Sequence, residues 1–371
     1  MTAPAPRAPA RDGSFDAAFL AALERYVAAL SARVSWRRLR RVPVEGLAAG
    51  RLRRIRDALG LGANAAGTFL TPSPRHAAEL ARLTQEDPHA ALTYRFACAN
   101  QAIGEDELSG LLEPALAAEV REVGLVVPTA AGLQATVSLA PYGDRAYVAD
   151  ARGPTAPGEH PVYLGLSSLQ ELGYCRTRLP AGKRDKALEI GSGTGIVLLE
   201  LADRYAHWEG AEYDPRGVAF ARANARLQGV THARFYQSDV FSNVRGRFDM
   251  ILFNPWQPSE GSLPLIERFV LGIPDHLEPD GKVMLLLETA RVAGRDLVLD
   301  QIAGWLRTIG MSAERQVVSA YRRGGDPPSI GEVCALWIGR GSDAAGTIRT
   351  RRDVAWARGS IRRGVLRLTG R

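Results

Sequence analysis

The chain has 371 residues, 46% of them hydrophobic and 23% charged, the proportions of an ordinary globular protein about two domains long. That balance excludes a collagen-like or wholly disordered chain, and no apolar run approaches the ~20 residues needed to span a bilayer. The formal net charge of +7 is uneven: residues 33–56 carry nine arginines against Glu45, residues 341–371 carry eight against Asp343 and Asp353, and the remainder is −7.

Two basic regions can attract RNA or an acidic small molecule through counterion release. With only three lysines in the chain, the excess of arginine also fits biased codon usage. Residues 1–14 are rich in Ala and Pro and lack an apolar core, so they read as a disordered arm of a cytoplasmic protein and not as a secretory signal. Cys98, Cys175 and Cys334 are odd in number and far apart, which argues for buried thiols over disulfides or a zinc site. The six histidines have no ligand spacing, so no metal is expected.

Ser14 can cap a first helix, in which Phe15, Phe19, Leu23, Val27 and Leu30 recur at helical spacing. Further helices are predicted over 73–87, 89–100, 105–112 and 114–123. Strand-like runs at 134–139 and 145–148 flank a Pro141-Tyr-Gly-Asp144 turn. Helices followed by a hairpin resemble a winged helix, so residues 15–150 are expected to form an accessory module. Such a module can grip DNA, but it more often shapes a substrate pocket or a homodimer interface. A Pro/Gly-rich linker is placed at 151–160.

From 161 to 340 strand and helix signals alternate, which means a parallel sheet covered on both faces. Strands are predicted at 186–190, 210–213, 233–237, 248–253, 282–287, 314–321 and 332–338, the last two antiparallel. Helices fall at 196–205, 215–227, 263–277 and 296–308. Residues 341–371 read as a basic tail.

Leu188-Glu-Ile-Gly191-Ser-Gly193-Thr-Gly195 ends the first of these strands and opens a helix. Glycines there permit a tight turn and close approach of a nucleotide-like ligand. No GK[ST] follows, and Ile196 stands where a dinucleotide-binding GxGxxG/A loop needs a small residue, which argues against an NAD-linked oxidoreductase. A carboxylate at Glu189 repels phosphates and attracts an ammonium or sulfonium. Glu212, about 20 residues on, can accept both ribose hydroxyls. Asp239 can accept from an exocyclic amine of adenine, and Asn254 is delivered to the same edge of the sheet.

The set Glu189-x-Gly191-x-Gly193-x-Gly195, Glu212, Asp239 and Asn254-Pro255-Trp256 resembles class I S-adenosylmethionine-dependent methyltransferases. It is similar to the Asn-Pro-Pro-(Tyr/Phe/Trp) branch of release-factor glutamine, ribosomal-RNA guanine-N2 and amino-DNA methyltransferases. The resemblance implies a Rossmann-like seven-stranded α/β domain after the helical module. It implies a cofactor site of Glu189, Gly191, Ser192, Gly193, Gly195, Glu212, Tyr213, Asp239, Val240 and Asn254, with S-adenosylhomocysteine as product. It implies in-line methyl transfer, with the Asn254 side chain and the Pro255 carbonyl accepting the N–H bonds of an amide or amine on a metabolite, protein or RNA. A lid helix is expected near Tyr163 and Ser167-Ser168, and a flap carrying Arg322 and Arg323 is expected over an acidic substrate. Trp256 stands where the branch has its second proline and Gln257 takes the aromatic slot. That departure makes Trp256 the candidate stacking residue and leaves O- or C-methylation open. A winged-helix regulator with an idle methyltransferase domain is the rival of another class.

Overall fold

Asp16 opens the first helix. Its side chain accepts from the Phe19 N–H at 2.7 Å, so α1 runs Ala17–Ser31 and the cap lies two residues beyond the expected Ser14. Phe19, Leu23, Tyr26 and Leu30 are fully buried on one face; Tyr26 takes the place expected of Val27. The computed structural model describes residues 14–39, 74–151, 162, 164, 166–179, 184–255, 263–323, 329–341 and 343–350. The N-terminal arm, the 152–161 linker, most of the 33–56 basic stretch and the tail beyond 350 lie outside them.

The helices continue with α2 (Trp36–Leu39), α3 (Pro74–Glu86), α4 (Pro88–Thr93), α5 (Glu105–Leu111) and α6 (Pro114–Glu122). Asp87 caps α4, with Pro88 as its first residue, and a π turn over Tyr94–Cys98 extends it. Two hairpins follow where one was expected: β1 (Val126–Thr129) with β2 (Gly132–Ala135), and β3 (Val137–Tyr142) with β4 (Arg145–Asp150). Asn100 breaks the expected 134–139 strand. Its amide donates to the carbonyls of Ala135 and Val137, on either side of Thr136, while the Thr136 N–H turns back to Leu125.

The second hairpin is not a free wing. Val137 to Ala140 and Ala146 to Asp150 are buried, and the hairpin packs on α9 (Pro215–Leu227) of the second half. Ala219, Phe220 and Ala223 of α9 join the core of the N-terminal helices, and Phe15 meets the Phe220 ring edge-on at 5.2 Å. Asn224, fully buried, accepts from the Val148 N–H at 2.7 Å and donates to the carbonyls of Val148 and Thr194, each at 2.9 Å. Asn224→Ala is expected to lower the unfolding free energy by about 3 kcal/mol, the scale of stranding several buried backbone groups. Urea denaturation measures it.

The second half is one eight-stranded sheet in the order β12-β10-β11-β9-β8-β5-β6-β7. Strands β5 (Arg184–Ile190), β6 (Tyr205–Glu212), β7 (Ala233–Gln237), β8 (Phe248–Phe253) and β9 (Leu277–Val292) are parallel. Strand β11 (Ser329–Gly339) runs antiparallel to both β9 and β10 (Ser312–Arg323). The eighth, β12 (Ile348–Thr350), adds a short edge beside β10, where the sequence pattern had read as a tail. Strand β6 begins five residues earlier than expected, because Tyr205 and Trp208 are buried edge to face under the sheet. The preceding helix, α8, therefore stops at Glu200 (Ile196–Glu200). Strand β9 outruns its apolar stretch because β11 pairs along it as far as Val292.

Helix α7 (Leu166–Arg178) packs on one face of the sheet, and α10 (Leu263–His276) and α11 (Leu297–Thr308) pack on the other. Among the described residues, no helix is long and apolar enough to cross a membrane.

Candidate active site

Strand order reverses at β5, whose neighbours are β6 and β8. The crevice beyond the carboxyl end of β5 is therefore the topological switch point, where open α/β sheets bind ligands. The glycine loop leaves β5 there. Gly191 donates to the Ala211 carbonyl at 2.7 Å and Gly195 to that of Ser192 at 2.8 Å. Gly193 and Gly195 have φ of +52° and +76°, a region closed to most side chains. A Cβ on Gly195 would lie 3.0 Å from the Phe235 ring and 3.1 Å from Ala221, whereas one on Gly193 meets nothing within 4 Å. Gly195 thus serves packing, and Gly193 faces open space.

Glu212, at the end of β6, ties this loop to the next helix. One oxygen accepts from the Gly193 N–H at 2.8 Å and the other from the Asp214 N–H at 2.9 Å. Each oxygen keeps a lone pair for a further donor. Burial pushes this carboxyl up, against the pull of those two N–H groups. Asp214 caps α9 through the Arg216 N–H. Tyr213, between the two acids, is 71% exposed, an unusual setting for a large ring.

Glu189 is buried at the end of β5, and one of its oxygens has no partner. Glu171, on α7, was not singled out from the sequence. It is also buried; one oxygen accepts from the Asn254 amide at 2.9 Å and the other has no partner. Burial pushes the Glu171 carboxyl up to about 7. Burial, then the charges of Glu171 and Glu212, raise Glu189 well above the usual range. The buried Ser192 hydroxyl is likewise without a partner. Among the described residues, no group of three or more His, Cys, Asp or Glu side chains could hold a metal ion.

Asn254 is half-buried and Pro255 buried at the end of β8. Asp239 does not stand alone: Arg268 of α10 grips it with two hydrogen bonds of 2.6 and 3.0 Å. The adenine amine expected at Asp239 would share that carboxylate with a guanidinium. Val240 next to it has φ +51°, rare for a β-branched residue and a mark of a constrained turn. The side chains of Arg322 and Arg323, at the end of β10, and all of Tyr163, Trp256 and Gln257 lie outside the described residues.

These carboxyls carry a pH dependence. Both Glu171 and Glu189 sit above their ordinary value of 4.5. Between about pH 4.5 and 7 the folded protein keeps the Glu171 proton that the unfolded chain has released, and its contribution to stability is lost as pH rises through that window; Glu189 acts in the same direction. The ligand-free protein is expected to melt at a lower temperature at pH 7.5 than at pH 5.5 by scanning calorimetry. An added cationic ligand should recover part of the loss.

Residues 176–315 match the family described as "Methyltransferase small domain". A Methanocaldococcus jannaschii protein described as an N5-glutamine methyltransferase is 32% identical over 123 residues, 28% of this chain and 62% of that protein. The 23S rRNA (uracil-C5)-methyltransferase of Aeromonas hydrophila is 36% identical over 98 residues, 25% of this chain and 22% of its own length. The release factor glutamine methyltransferase of Shewanella oneidensis is 38% identical over 80 residues, 21% of this chain and 28% of its own length. The chain thus spans less than two thirds of each of these relatives.

Residues 176–315 are thus similar to S-adenosylmethionine-dependent methyltransferases. The residues present fit that cofactor. Unpartnered buried carboxylate oxygens at Glu171 and Glu189 suit positive charge, Glu212 can still accept hydroxyls, and Gly193 leaves room where the loop faces the crevice. The alternation of strands and helices, and the antiparallel last pair, were legible in the sequence. Glu171 and Arg268 were not, because a lone acid or arginine on a helix looks like a solvated surface group. The one available signal for Glu171 was its i, i+4 spacing to Cys175 on a face that also buries Leu172.

Proposed function

We propose that the chain transfers a methyl group from S-adenosylmethionine to an amide or amine nitrogen of a protein or an RNA. The observation that carries this is the Asn254 amide bound to Glu171. Its Nδ2 donates to the carboxylate, so Oδ1 is the atom left to receive an N–H from an incoming acceptor. The Pro255 carbonyl supplies a second acceptor at the same strand end. Two such contacts turn the nitrogen lone pair out of conjugation and towards the donor. When bound, the cofactor supplies an electrophilic methyl on a sulfonium leaving group, so the protein's task is orientation more than acid–base help.

In this reading Glu212 holds the ribose, Asp239 and the Val240 backbone meet the adenine, and Gly191 to Gly195 pass under the amino-acid end beside Glu189. Tyr213 lies against the sugar. Two of the relatives above are described as glutamine methyltransferases and one as an rRNA methyltransferase, which supports a macromolecular acceptor. The described part of the N-terminal basic stretch gives RNA little extra weight. Arg33 pairs with Glu113, Arg37 with Asp144, and Arg38 with Glu86 and Asp87.

The test is incubation of the full chain with a cell extract and methyl-labelled donor, followed by separation of protein, RNA and small molecules. Label in protein or RNA on nitrogen is the expected result. Label confined to small molecules, or placed on carbon or oxygen, overturns the acceptor.

A further inference from the structure

Glu171 is the one acid of the crevice that holds Asn254 with one oxygen while its other oxygen, also buried, has no partner. Glu171 is buried, and α7 is anchored just beyond it. The Tyr174 hydroxyl donates to Gln316 at 2.5 Å and accepts from the Trp337 indole at 2.7 Å. Arg176 binds the Tyr142 hydroxyl at 2.8 Å and pairs with Glu200. Tyr142 belongs to the hairpin of the first half and Glu200 to the helix after the glycine loop, so both halves of the protein fix this helix.

A carboxylate held in place, buried and half-unsatisfied is costly unless a positive charge meets it. Glu189 carries a second unpartnered oxygen, and the two acids raise each other's affinity for positive charge. They differ in position. Glu189 ends the strand that leads into the glycine loop, whereas Glu171 shares the amide of Asn254 and therefore lies at the end of the crevice where the acceptor is held.

Resting on the methyl-donor reading above, we propose that Glu171 senses the charge on the donor's sulfur, favouring the sulfonium cofactor over its neutral thioether product. In transfer the acceptor nitrogen's lone pair forms the new N–C bond, the electron pair of the S–C bond stays on sulfur, and the nitrogen sheds one proton to water. Sulfur passes from positive to neutral, and Glu171 loses its counter-charge at the moment the product must leave. The acid is thus a device for exchanging product for fresh donor.

The experiment is calorimetric titration of the full chain with S-adenosylmethionine, S-adenosylhomocysteine and sinefungin, which carries a protonated amine in place of the methyl-sulfonium. Wild type should bind the two charged ligands about tenfold more tightly than S-adenosylhomocysteine, the scale of one partly screened charge contact. In Glu171→Gln that preference should fall to about twofold or less, with S-adenosylhomocysteine affinity within about threefold of wild type. An unchanged preference, or an equal loss for all three ligands, overturns the proposal. Wild type that binds none of them overturns the methyl-donor reading itself.

A second measurement needs no variant. In wild type the ratio of S-adenosylmethionine to S-adenosylhomocysteine affinity should rise between about pH 6 and pH 8 as Glu171 ionises. Glu189, Cys175 and Asn254 are the other groups around it. Both ligands carry the same ammonium and ribose, so what those groups contribute cancels in the ratio and the change reports the charge on sulfur. A flat ratio overturns the proposal.

Discussion

Gly193→Val is expected to abolish cofactor binding while leaving the protein folded. The residue has φ +52°, where a side chain costs about 1–2 kcal/mol and a β-branched one more. Its Cβ would meet no protein atom within 4 Å, so the isopropyl group projects into the space a ligand needs and not into the core. Relief of the strain would also turn away the N–H that holds Glu212. Titration with S-adenosylhomocysteine measures the effect, and normal affinity would refute the assignment of the loop. The contrast is Gly195, where a Cβ collides with Phe235 and Ala221; substitution there should unfold the loop outright.

The second large effect is expected at Asn254. Asn254→Ala removes the group proposed to orient the acceptor and nothing proposed to hold the cofactor's sugar or base. Turnover, read as labelled methyl incorporated per enzyme, should fall about 100-fold or more, the scale of losing an orienting contact. Donor affinity should stay within a few-fold of wild type. Unchanged turnover would rule out Asn254 as the acceptor clamp. Asn254→Asp should also be inactive, because it sets a second carboxylate against Glu171, whose oxygen now accepts from the amide.

Local patterns carried much of this protein. The glycine loop, Glu212 and the Asn254-Pro255 strand end were legible because each lies at the end of an apolar run followed by a turn or a helix cap, so position along the chain fixes position on the sheet edge. Strand lengths were less legible. Strands β6 and β9 are extended by partners from elsewhere in the chain, and pairing of that kind leaves no mark in a hydropathy window. The break at Thr136 is of the same sort, since Asn100, 35 residues before Ala135, causes it. Glu171, Arg268 and Asn224 escaped for one reason: each is a polar residue on a helix, and only the three-dimensional fold tells that Glu171 and Asn224 are buried and that Arg268 reaches Asp239.

Asn224 ties the two halves together: one carbonyl it binds belongs to the hairpin of the first half, the other to Thr194 within the glycine loop. A hinge between the halves would therefore have to pull on the loop itself. Those bonds tie the hairpin and the loop into one unit. A second half produced alone would lose the Val148 contacts of Asn224 and bare the apolar patch of Ala219, Phe220 and Ala223, so the first half is better understood as a wall of the second than as its passenger.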